Sequence, residues 1–551
     1  MTSANHTTVA DVVGRTLQRL GVGAAFGVVG SGNFQVTNAL RAAGVAFYPA
    51  RHEGGATTMA DAYARMTDGV AVVTLHQGCG LTNALTGIGE AAKSRTPLIV
   101  LAADTPGDAV RSNFRVAQDA LAAAVGAVPE RVYGPASAIA DTVRAFRTAR
   151  DDGRCVVLNL PIDIQALPAA WDTPPVAPTP HPVRPADSDT DRLTDLLRNS
   201  ERPVFVAGRG ARRYATDLRQ LAASAGALLA TSAVANGLFH DDPWSIGISG
   251  GFATPLAVEL IRDADLLIGW GCALNMWTMR HGRLIGDGAT VVQVDNEVSA
   301  LGAHRNVSIE ILGDVGETAR AVAAAWKKES AESNRYRTDD VRARIVAGAR
   351  WTQVAFDDLS TSDRIDPRVL SIALDRMLPE QRVVAVDSGN FMGYPSAYLA
   401  VPDQFGFCFT QAFQSVGLGL ATAIGAALAQ PDRLPIAALG DGGALMGSSE
   451  FETVVRLGLP MVVVVYNDSA YGAEVHHFGA DSDLATVQFP TTDFAAMAAG
   501  MGYAAATVRS VADLDRLGQW LAGPRDRPIL LDARIASDGG AWWLQEAFHK
   551  H

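Results

Sequence analysis

Apolar runs of strand length alternate with helix-like segments along nearly the whole chain. Nine of these runs are VAVVTL (70–75), PLIVLAA (97–103), CVVLNLP (155–161), PVFVAG (203–208), DLLIGWG (265–271), TVVQVD (290–295), RVVAVDSG (382–389), LPIAALGDG (434–442) and MVVVVYND (461–468). They are continuously apolar and do not alternate with polar residues, which indicates strands buried on both faces of a sheet. The repeated order of strand and helix predicts parallel α/β layers.

Two stretches interrupt this pattern and divide the chain. Residues 168–186 (PAAWDTPPVAPTPHPVRPA) are dense in proline and predict an extended linker. Residues 327–366 are rich in charge and poor in strand signals, which predicts solvated helix and connection. We therefore predict an α/β protein with three consecutive parallel-sheet domains, at residues 1–167, 187–330 and 365–551.

Composition excludes several classes of protein. The formal net charge of −12 argues against a nucleic-acid surface. The N-terminus lacks the basic and apolar regions of a signal peptide, and no apolar run reaches the ~20 residues that a membrane span needs. The four cysteines are scattered, with no Cys-x-x-Cys pair, which fits a reducing compartment. We expect a cytoplasmic protein with no nucleic-acid or membrane partner.

Two predicted strands in the last third of the chain end in oxygen-bearing side chains. Asp441 follows the apolar run LPIAAL inside the turn GDGG, and Asn467 follows VVVVY. The segment between them is long enough for a helix, predicted over about Met446–Leu457, and for the second strand. Parallel strands joined by such a crossover end at the same edge of the sheet, so we expect the two side chains to converge.

The groups predicted at this edge suit a hard cation beside an anion. The Asp441 carboxylate, the Asn467 side-chain oxygen and the Ser469 carbonyl are ligands of the kind that Mg²⁺ takes, and phosphate oxygens and water commonly complete its shell. Small residues at the first strand end allow backbone N–H groups to approach a phosphate; these are Gly440, Gly442 and Gly443. A lone Gly-Asp-Gly is also a common turn, so the second strand end carries the prediction.

The pair of motifs, GDGG followed by YNDS, resembles the diphosphate-and-magnesium signature of thiamine-diphosphate-dependent enzymes. The family signature ends in Asn-Asn, whereas Asp468 stands at the second position here, which is not the usual metal ligand. The resemblance implies thiamine diphosphate and Mg²⁺ as cofactors, with Asp441, Asn467 and the Ser469 carbonyl at the metal.

A second family motif is matched in the first domain. Residues 51–65 (RHEGGATTMADAYAR) are similar to the family's His-Glu, small residues and Ala-Tyr-Ala-Arg. Glu53 follows the run VAFYPA and opens a helix rich in Gly and Ala; a carboxylate favoured only by the helix dipole is the alternative. The resemblance implies that Glu53 is catalytic, contacting the aminopyrimidine ring of the cofactor so that the thiazolium C2 becomes reactive.

Further cofactor contacts are implied by residues 411–427 (QAFQSVGLGLATAIGAA), which resemble the family segment beneath the thiazolium. Val416 falls at the position of the apolar wedge, where relatives usually have the larger Met, Leu or Ile. The Gln414 carbonyl falls near the exocyclic amine. Asn390, in the segment DSGN after another predicted strand, is implied as a diphosphate contact, with a structural turn as the alternative.

The resemblance spans the whole chain in the order pyrimidine-binding, central and diphosphate-binding domain. In this family the two cofactor-binding domains of one site come from different subunits. It therefore implies a homodimer or homotetramer with the active site at the subunit interface. Some relatives hold FAD or ADP in the central domain, and Gly208–Gly210 and Asp295 are suitable positions, but many keep it empty and we expect neither nucleotide.

The reaction is less well defined than the cofactor. The segment LHQGCGLTN (75–83) resembles benzoylformate decarboxylase, which implies that His76 faces the reacting centre and moves protons. Ser31, in VGSGN, stands where that decarboxylase has the serine that binds the substrate carboxylate. Gln118, before Asp119, instead resembles the Gln-acid pair that lyases and carboligases place over the thiazolium.

The lead hypothesis is decarboxylation of a 2-oxo acid with acyloin-type carboligation, on a small carbonyl substrate. The alternative is an acetolactate-synthase-like or 2-hydroxyacyl-lyase activity. Glu474, His476 and His477 stand where the decarboxylase has mostly apolar or aromatic groups. They predict a polar substrate pocket, and a solvated surface cluster is the alternative. A Rossmann-type nucleotide-binding oxidoreductase would need Gly-x-Gly-x-x-Gly, which GVVGSGN lacks. A non-catalytic regulatory relative would be expected to lack Glu53.

Overall fold

The computed structural model describes residues 7–174, 178–327, 335–479, 481–537 and 539–547. It contains three six-stranded sheets, and every paired strand in them is parallel. All nine quoted apolar runs form strands, so the predicted α/β fold with three parallel sheets is confirmed. The described part of the linker at 168–186 contains no helix or named strand.

The first sheet has the order β2-β1-β3-β4-β6-β5. Its strands are β1 Ala24–Gly27, β2 Ala46–Pro49, β3 Ala71–Leu75, β4 Leu98–Asp104, β5 Val128–Arg131 and β6 Cys155–Pro161. The helices are α1 Val9–Arg19, α2 Phe34–Ala42, α3 Glu53–Thr67, α4 Cys79–Lys93, α5 Gln118–Ala124, α6 Ala138–Asp151 and α7 Ile162–Gln165. Helix α3 begins at Glu53, as predicted, because the extended His52 caps it through its Nδ1, which accepts from the Gly54 N–H at 3.0 Å.

The second sheet has the order β12-β11-β10-β7-β8-β9. Its strands are β7 Pro203–Ala207, β8 Leu228–Thr231, β9 Ser245–Ile248, β10 Leu266–Trp270, β11 Thr290–Asp295 and β12 Ile309–Leu312. The helices are α8 Asp187–Asn199, α9 Ala215–Ala225, α10 Pro255–Arg262, α11 Met276–Met279 and α12 Val315–Lys327, followed by α13 Asp339–Gly348 in the charged connection.

The third sheet has the order β14-β13-β15-β16-β18-β17. Its strands are β13 Arg382–Val386, β14 Phe407–Phe409, β15 Leu434–Gly440, β16 Val462–Asn467, β17 Ala504–Val508 and β18 Ile529–Arg534. The helices are α14 Pro367–Met377, α15 Gly393–Tyr398, α16 Gly419–Ala429, α17 Asp441–Met446, α18 Glu450–Arg456, α19 Gly472–Phe478, α20 Phe494–Gly500, α21 Asp515–Ala522 and α22 Trp542–Ala547.

The helix predicted over about Met446–Leu457 is shorter in the structure, where α18 covers Glu450–Arg456. A second short helix that was not predicted, α17, precedes it and begins directly at the strand end. Gly447, Ser448 and Ser449 separate them, and these residue types favour helix ends over helix interiors. Gly447 also lies close to the Gly417 carbonyl, since a Cβ at 447 would be 3.0 Å from that oxygen.

The first and third domains share one hydrophobic core within the chain. Helix α3 packs against α16, and both helices are rich in small residues. A Cβ on Gly425 would lie 2.2 Å from the Met59 carbonyl oxygen, so glycine is required for the two helices to approach this closely. Among the described residues, no helix is both long and apolar enough to cross a membrane.

Candidate active site

The ends of β15 and β16 lie side by side, as the sequence predicted. Gly440 pairs with Tyr466 in the ladder, so Asp441 and Asn467 sit at the same sheet edge. The Asn467 side chain is fully buried and held from two sides: its Nδ2 donates to Asp532 at 2.9 Å, and its Oδ1 accepts from the Ser469 N–H at 3.2 Å. Ser469 adopts a left-handed conformation (φ 63°), which turns the chain sharply beside these groups.

Two carboxylates, Asp441 and Asp468, lie near enough at this edge for the charge of one to affect the other. Burial raises the pKa of Asp441 to about 6. Burial and the neighbouring charge of Asp441 raise the pKa of Asp468 to about 7. Repulsion between two desolvated carboxylates is relieved by a cation, and carboxylate, amide and carbonyl oxygens are ligands for a hard divalent one. The residues present therefore fit Mg²⁺.

The glycines at the start of α17 are enforced by close neighbours. A Cβ on Gly443 would lie 2.2 Å from the Asp387 carboxylate, and one on Gly442 would lie 2.5 Å from the Tyr471 ring. A Cβ on Gly440 would lie 3.0 Å from the Phe391 ring. The Gly442 N–H donates to Asp441 Oδ1 at 2.9 Å. Because the turn carries no Cβ at these positions, an anion such as a diphosphate can approach its backbone closely.

The loop that carries Gln414 and Val416 is held beside this turn by buried carboxylates. Asp387, at the end of β13, accepts from the Gly417 N–H at 3.0 Å, and burial raises its pKa to about 6. Glu90, from the first domain, accepts from the backbone N–H groups of Ala412 at 3.1 Å and Phe413 at 2.6 Å. Motif matching did not identify Asp387 or Glu90 as supports of this loop.

The turn after β15 and the loop of Gln414 and Val416 line a cavity of about 1690 Å³ that extends to the central domain, whereas Asn467 and Ser469 are not among its described lining residues. The predicted cofactor contacts in its wall are Asn390, Gln414, Val416, Gly440, Asp441, Gly442 and Gly443. Gln414 has a positive φ of 59°, and the Val416 side chain lies beside Gly443. Gly208–Gly210 and Asp295 border the same cavity, but we propose no nucleotide there.

A second cluster of predicted site residues lies on the first domain. The Glu53 carboxylate accepts from Asn83 Nδ2 at 3.1 Å. Gly80 lies between Glu53 and His76, since a Cβ there would be 3.7 Å from the Glu53 carboxylate and 3.1 Å from the His76 Cβ. The Ser31 hydroxyl is 3.4 Å from His76 Nε2, and His76 Nδ1 is 2.9 Å from the Gln77 carbonyl oxygen.

One chain does not bring the two clusters into one cavity. Among the described residues that line the cavity beside Asp441, the first-domain cluster of Glu53, Ser31 and His76 is absent.

Gln118 has a defined structural position. The residue is 3% exposed, and its side-chain amide makes three hydrogen bonds within the domain. Oε1 accepts from the Gly78 N–H at 2.9 Å, and Nε2 donates to the Asn159 side chain at 2.7 Å and to the Ala103 carbonyl at 3.0 Å. In this geometry Gln118 holds the turn after His76, and its catalytic role stays a prediction.

The three polar residues predicted for a substrate pocket all lie on α19 but differ in position. Glu474 is exposed and lines the cavity. His476 is half-buried, which lowers its pKa, and His477 is exposed beside the Phe478 ring. Neither histidine is among the described residues of the cavity wall, so only Glu474 is placed toward it.

Comparison with known proteins agrees with the three-sheet fold. Three family models match the chain in order: thiamine pyrophosphate enzyme, N-terminal TPP binding domain (residues 7–124), central domain (190–322) and C-terminal TPP binding domain (387–533). The 4-hydroxybenzoylformate decarboxylase of Rhodococcus jostii RHA1, described as thiamine-diphosphate-dependent, shares the fold with a TM-score of 0.81 and 21% identity, over 97% of this chain and 100% of that one.

The chain is also similar along most of its length to curated enzymes. Sulfoacetaldehyde acetyltransferase of Rhodobacter capsulatus is 27% identical, over 98% of this chain and 97% of that protein. The probable acetolactate synthase 2 of rice (Oryza sativa) is 26% identical over 96% and 82%, and the probable 2-ketoarginine decarboxylase of Pseudomonas aeruginosa is 26% identical over 93% and 90%. With all three domains matched in order, the chain belongs to the thiamine pyrophosphate (thiamine diphosphate) enzyme family.

Proposed function

We propose that the protein is a thiamine-diphosphate- and Mg²⁺-dependent enzyme that breaks and forms a carbon–carbon bond beside a carbonyl group. The reaction we favour is decarboxylation of a 2-oxo acid with acyloin-type carboligation. The observation that carries this choice is the Ser31–His76 pair, 3.4 Å apart and next to Glu53. A hydroxyl and an imidazole so placed can bind a carboxylate and move a proton.

The third domain would hold the cofactor. Asp441, Asn467 and the Ser469 carbonyl would bind Mg²⁺, and the backbone at Gly442–Gly443 would bind the diphosphate. Val416 would support the thiazolium beside Gly443. Bound there, thiamine diphosphate would supply a nucleophilic carbon and an electron sink for the bond that breaks.

The first domain would supply the acid–base groups. Glu53, oriented by Asn83, would exchange a proton with the aminopyrimidine ring. Ser31 would donate a hydrogen bond to the substrate carboxylate, and His76 Nε2 would deliver the proton that releases an aldehyde. The contact of His76 Nδ1 with the Gln77 carbonyl fixes the ring orientation for that transfer.

A second candidate function is carboligation or acyl transfer without release of free aldehyde. The names of two relatives, an acetolactate synthase and sulfoacetaldehyde acetyltransferase, favour it. In that case Gln118 is the residue to test, because it holds the Gly78 turn that follows His76. A 2-hydroxyacyl lyase is the remaining alternative.

We further propose a homodimer or homotetramer in which each site joins the third domain of one chain to the first domain of another. The separation of the two half-sites on one chain supports this arrangement. Large apolar side chains are exposed on both halves, including Val29, Phe34 and Phe114 on the first domain and Met446 and Phe478 on the third. A second copy of the chain would bury them.

One assay tests the reaction. Purified protein with thiamine diphosphate and Mg²⁺ is offered ¹³C-labelled pyruvate, benzoylformate and polar 2-oxo acids, with and without an aldehyde, and the products are read by NMR. We expect free aldehyde from one acid, and loss of most of that product in His76→Ala. Acetolactate or a mixed acyloin without free aldehyde would instead select the second candidate. If no 2-oxo acid is turned over, the 2-hydroxyacyl lyase activity is the alternative that remains.

We expect Asp468→Asn to stabilise the cofactor-free protein in a pH-dependent way. Because the pKa of Asp468 is raised to about 7 in the folded protein, its ionisation is unfavourable there. The free energy of unfolding therefore falls as pH rises from about 4 to 7. Urea unfolding in EDTA gives the difference in free energy of unfolding between the variant and wild type. This difference should be about 1–2 kcal/mol larger, in favour of the variant, at pH 7.5 than at pH 5. An equal gain at both pH values would contradict the charge argument.

A further inference from the structure

The carboxylate of Glu450 lies at the junction of the third domain with the start of α3. Glu450 is the first residue of α18 and is 2% exposed. Its Oε1 accepts from the backbone N–H groups of His52 at 3.0 Å and Arg51 at 3.2 Å. Its Oε2 accepts from the Thr453 hydroxyl at 2.6 Å. The two backbone groups belong to the residues that immediately precede Glu53.

The first turn of α3 is shaped around this carboxylate. A Cβ on Gly55 would lie 2.5 Å from Glu450 Oε1, so a larger residue would displace it. The carboxylate also lies at the N-terminus of a 15-residue helix, where a negative charge is stabilised. The three groups that contact Glu450 all donate to it: two backbone N–H groups and the Thr453 hydroxyl. An ionised carboxylate, which has only acceptor oxygens, suits this set of donors.

We propose that Glu450 is a positioning residue for Glu53. Glu450 holds the backbone before Glu53, and Asn83 holds the Glu53 carboxylate. The inference rests on the proposed function, since it requires Glu53 to act on the cofactor. It has a consequence for the oligomer: Glu450 follows Asp441 on the same chain, yet it supports the base that serves the cofactor bound by the partner subunit.

The first test compares two substitutions on α18. In Glu450→Gln, one acceptor oxygen becomes an NH₂ and the negative charge at the start of α3 is lost, so the hold on the backbone before Glu53 should weaken. We expect exchange of the thiazolium C2 proton of bound thiamine diphosphate, followed by quenched-flow NMR, to slow by about 10- to 100-fold. Cofactor affinity, from tryptophan fluorescence titration, should change less than about twofold, because Glu450 does not line the cavity. The matched control is Glu452→Gln, a partly exposed carboxylate that binds the Arg51 side chain at 2.7 Å.

Gly55→Ala provides an independent perturbation of the same contact. It should slow C2 exchange as Glu450→Gln does, with thermal unfolding used to confirm that each variant is folded. Unchanged C2 exchange in folded Glu450→Gln would overturn the proposal. So would a parallel loss of cofactor affinity, which would show that Glu450 serves the cradle of its own domain.

Mixed dimers assign the effect to one site. A chain with Asp441→Ala supplies only Glu53, and a chain with Glu53→Gln supplies only the cofactor cradle, so their heterodimer has one working site. Adding Glu450→Gln to the first chain should slow C2 exchange as in the full variant, whereas adding it to the second chain should leave the rate unchanged. Equal effects in both chains would overturn the proposal.

The same experiment separates failure of the inference from failure of the proposed function. If wild-type protein shows no Glu53-dependent C2 exchange, the proposed function fails. If wild-type protein is active but the reference heterodimer is not, the site is not shared between subunits and the assignment of Glu450 to the partner's site is wrong. If the reference heterodimer is active and only the Glu450 arms disagree with expectation, the inference alone fails.

Discussion

Glu53→Gln should lower kcat by about three orders of magnitude while leaving binding of thiamine diphosphate nearly unchanged. General acid–base groups contribute about 10²–10⁴ to rate, so this loss corresponds to about 4 kcal/mol of transition-state stabilisation. Glutamine keeps the size of the side chain and can still bond to Asn83, but it cannot exchange a proton with the aminopyrimidine ring. The measurements are steady-state turnover of the best 2-oxo acid and the rate of C2 proton exchange.

The matched control is Glu201→Gln, because the Glu201 carboxylate is 85% exposed and lies in the central domain. It should retain wild-type rates in both assays. The mechanism would be contradicted if Glu53→Gln kept both turnover and C2 exchange within about twofold of wild type. Among the described residues, no other carboxylate contacts Asn83 and could replace Glu53. If turnover fell but C2 exchange did not, Glu53 would act on the substrate and not on the cofactor.

The fold and the convergence of Asp441 with Asn467 were predictable from sequence because their signals are local and their geometry is general. Continuous apolar runs predict buried parallel strands, and the carboxyl ends of neighbouring parallel strands must meet. Asp441 and Asn467 therefore converge without any knowledge of distant contacts. The break between α17 and α18 was not predicted, because it depends on the close approach of Gly447 to the Gly417 carbonyl.

The supporting residues were not predictable in the same way. Glu450 bonds to a backbone group 399 positions away, and Glu90 to one 323 positions away, so nothing in the neighbouring sequence indicates their partners. Both are buried carboxylates that accept backbone N–H groups, a role that any glutamate could take. Gln118 shows the converse: its motif indicates a reacting centre, whereas its contacts are the structural ones that hold Gly78.

Asp441→Ala should abolish the dependence of cofactor binding on Mg²⁺. Removing residues that only support a metal ligand typically costs 10–100-fold in metal affinity, so loss of a direct charged ligand should weaken thiamine diphosphate binding in Mg²⁺ by on the order of 100-fold. In EDTA the wild-type and variant proteins should bind the cofactor equally weakly. Isothermal titration with and without Mg²⁺ measures both values, with Asp432→Ala, at an exposed turn, as the control.

Unfolding of the variant would not explain this loss, because the same substitution should stabilise the cofactor-free protein. Burial raises the pKa of Asp441 to about 6, so its ionisation destabilises the folded protein at pH 7.5. This destabilisation is absent near pH 4, where the carboxyl group is protonated. Removing it also relieves the repulsion that adds to burial in raising the pKa of Asp468. In EDTA at pH 7.5, Asp441→Ala should therefore unfold at an equal or higher temperature than wild type. A variant that binds the cofactor as wild type does in Mg²⁺ would show that the metal lies elsewhere.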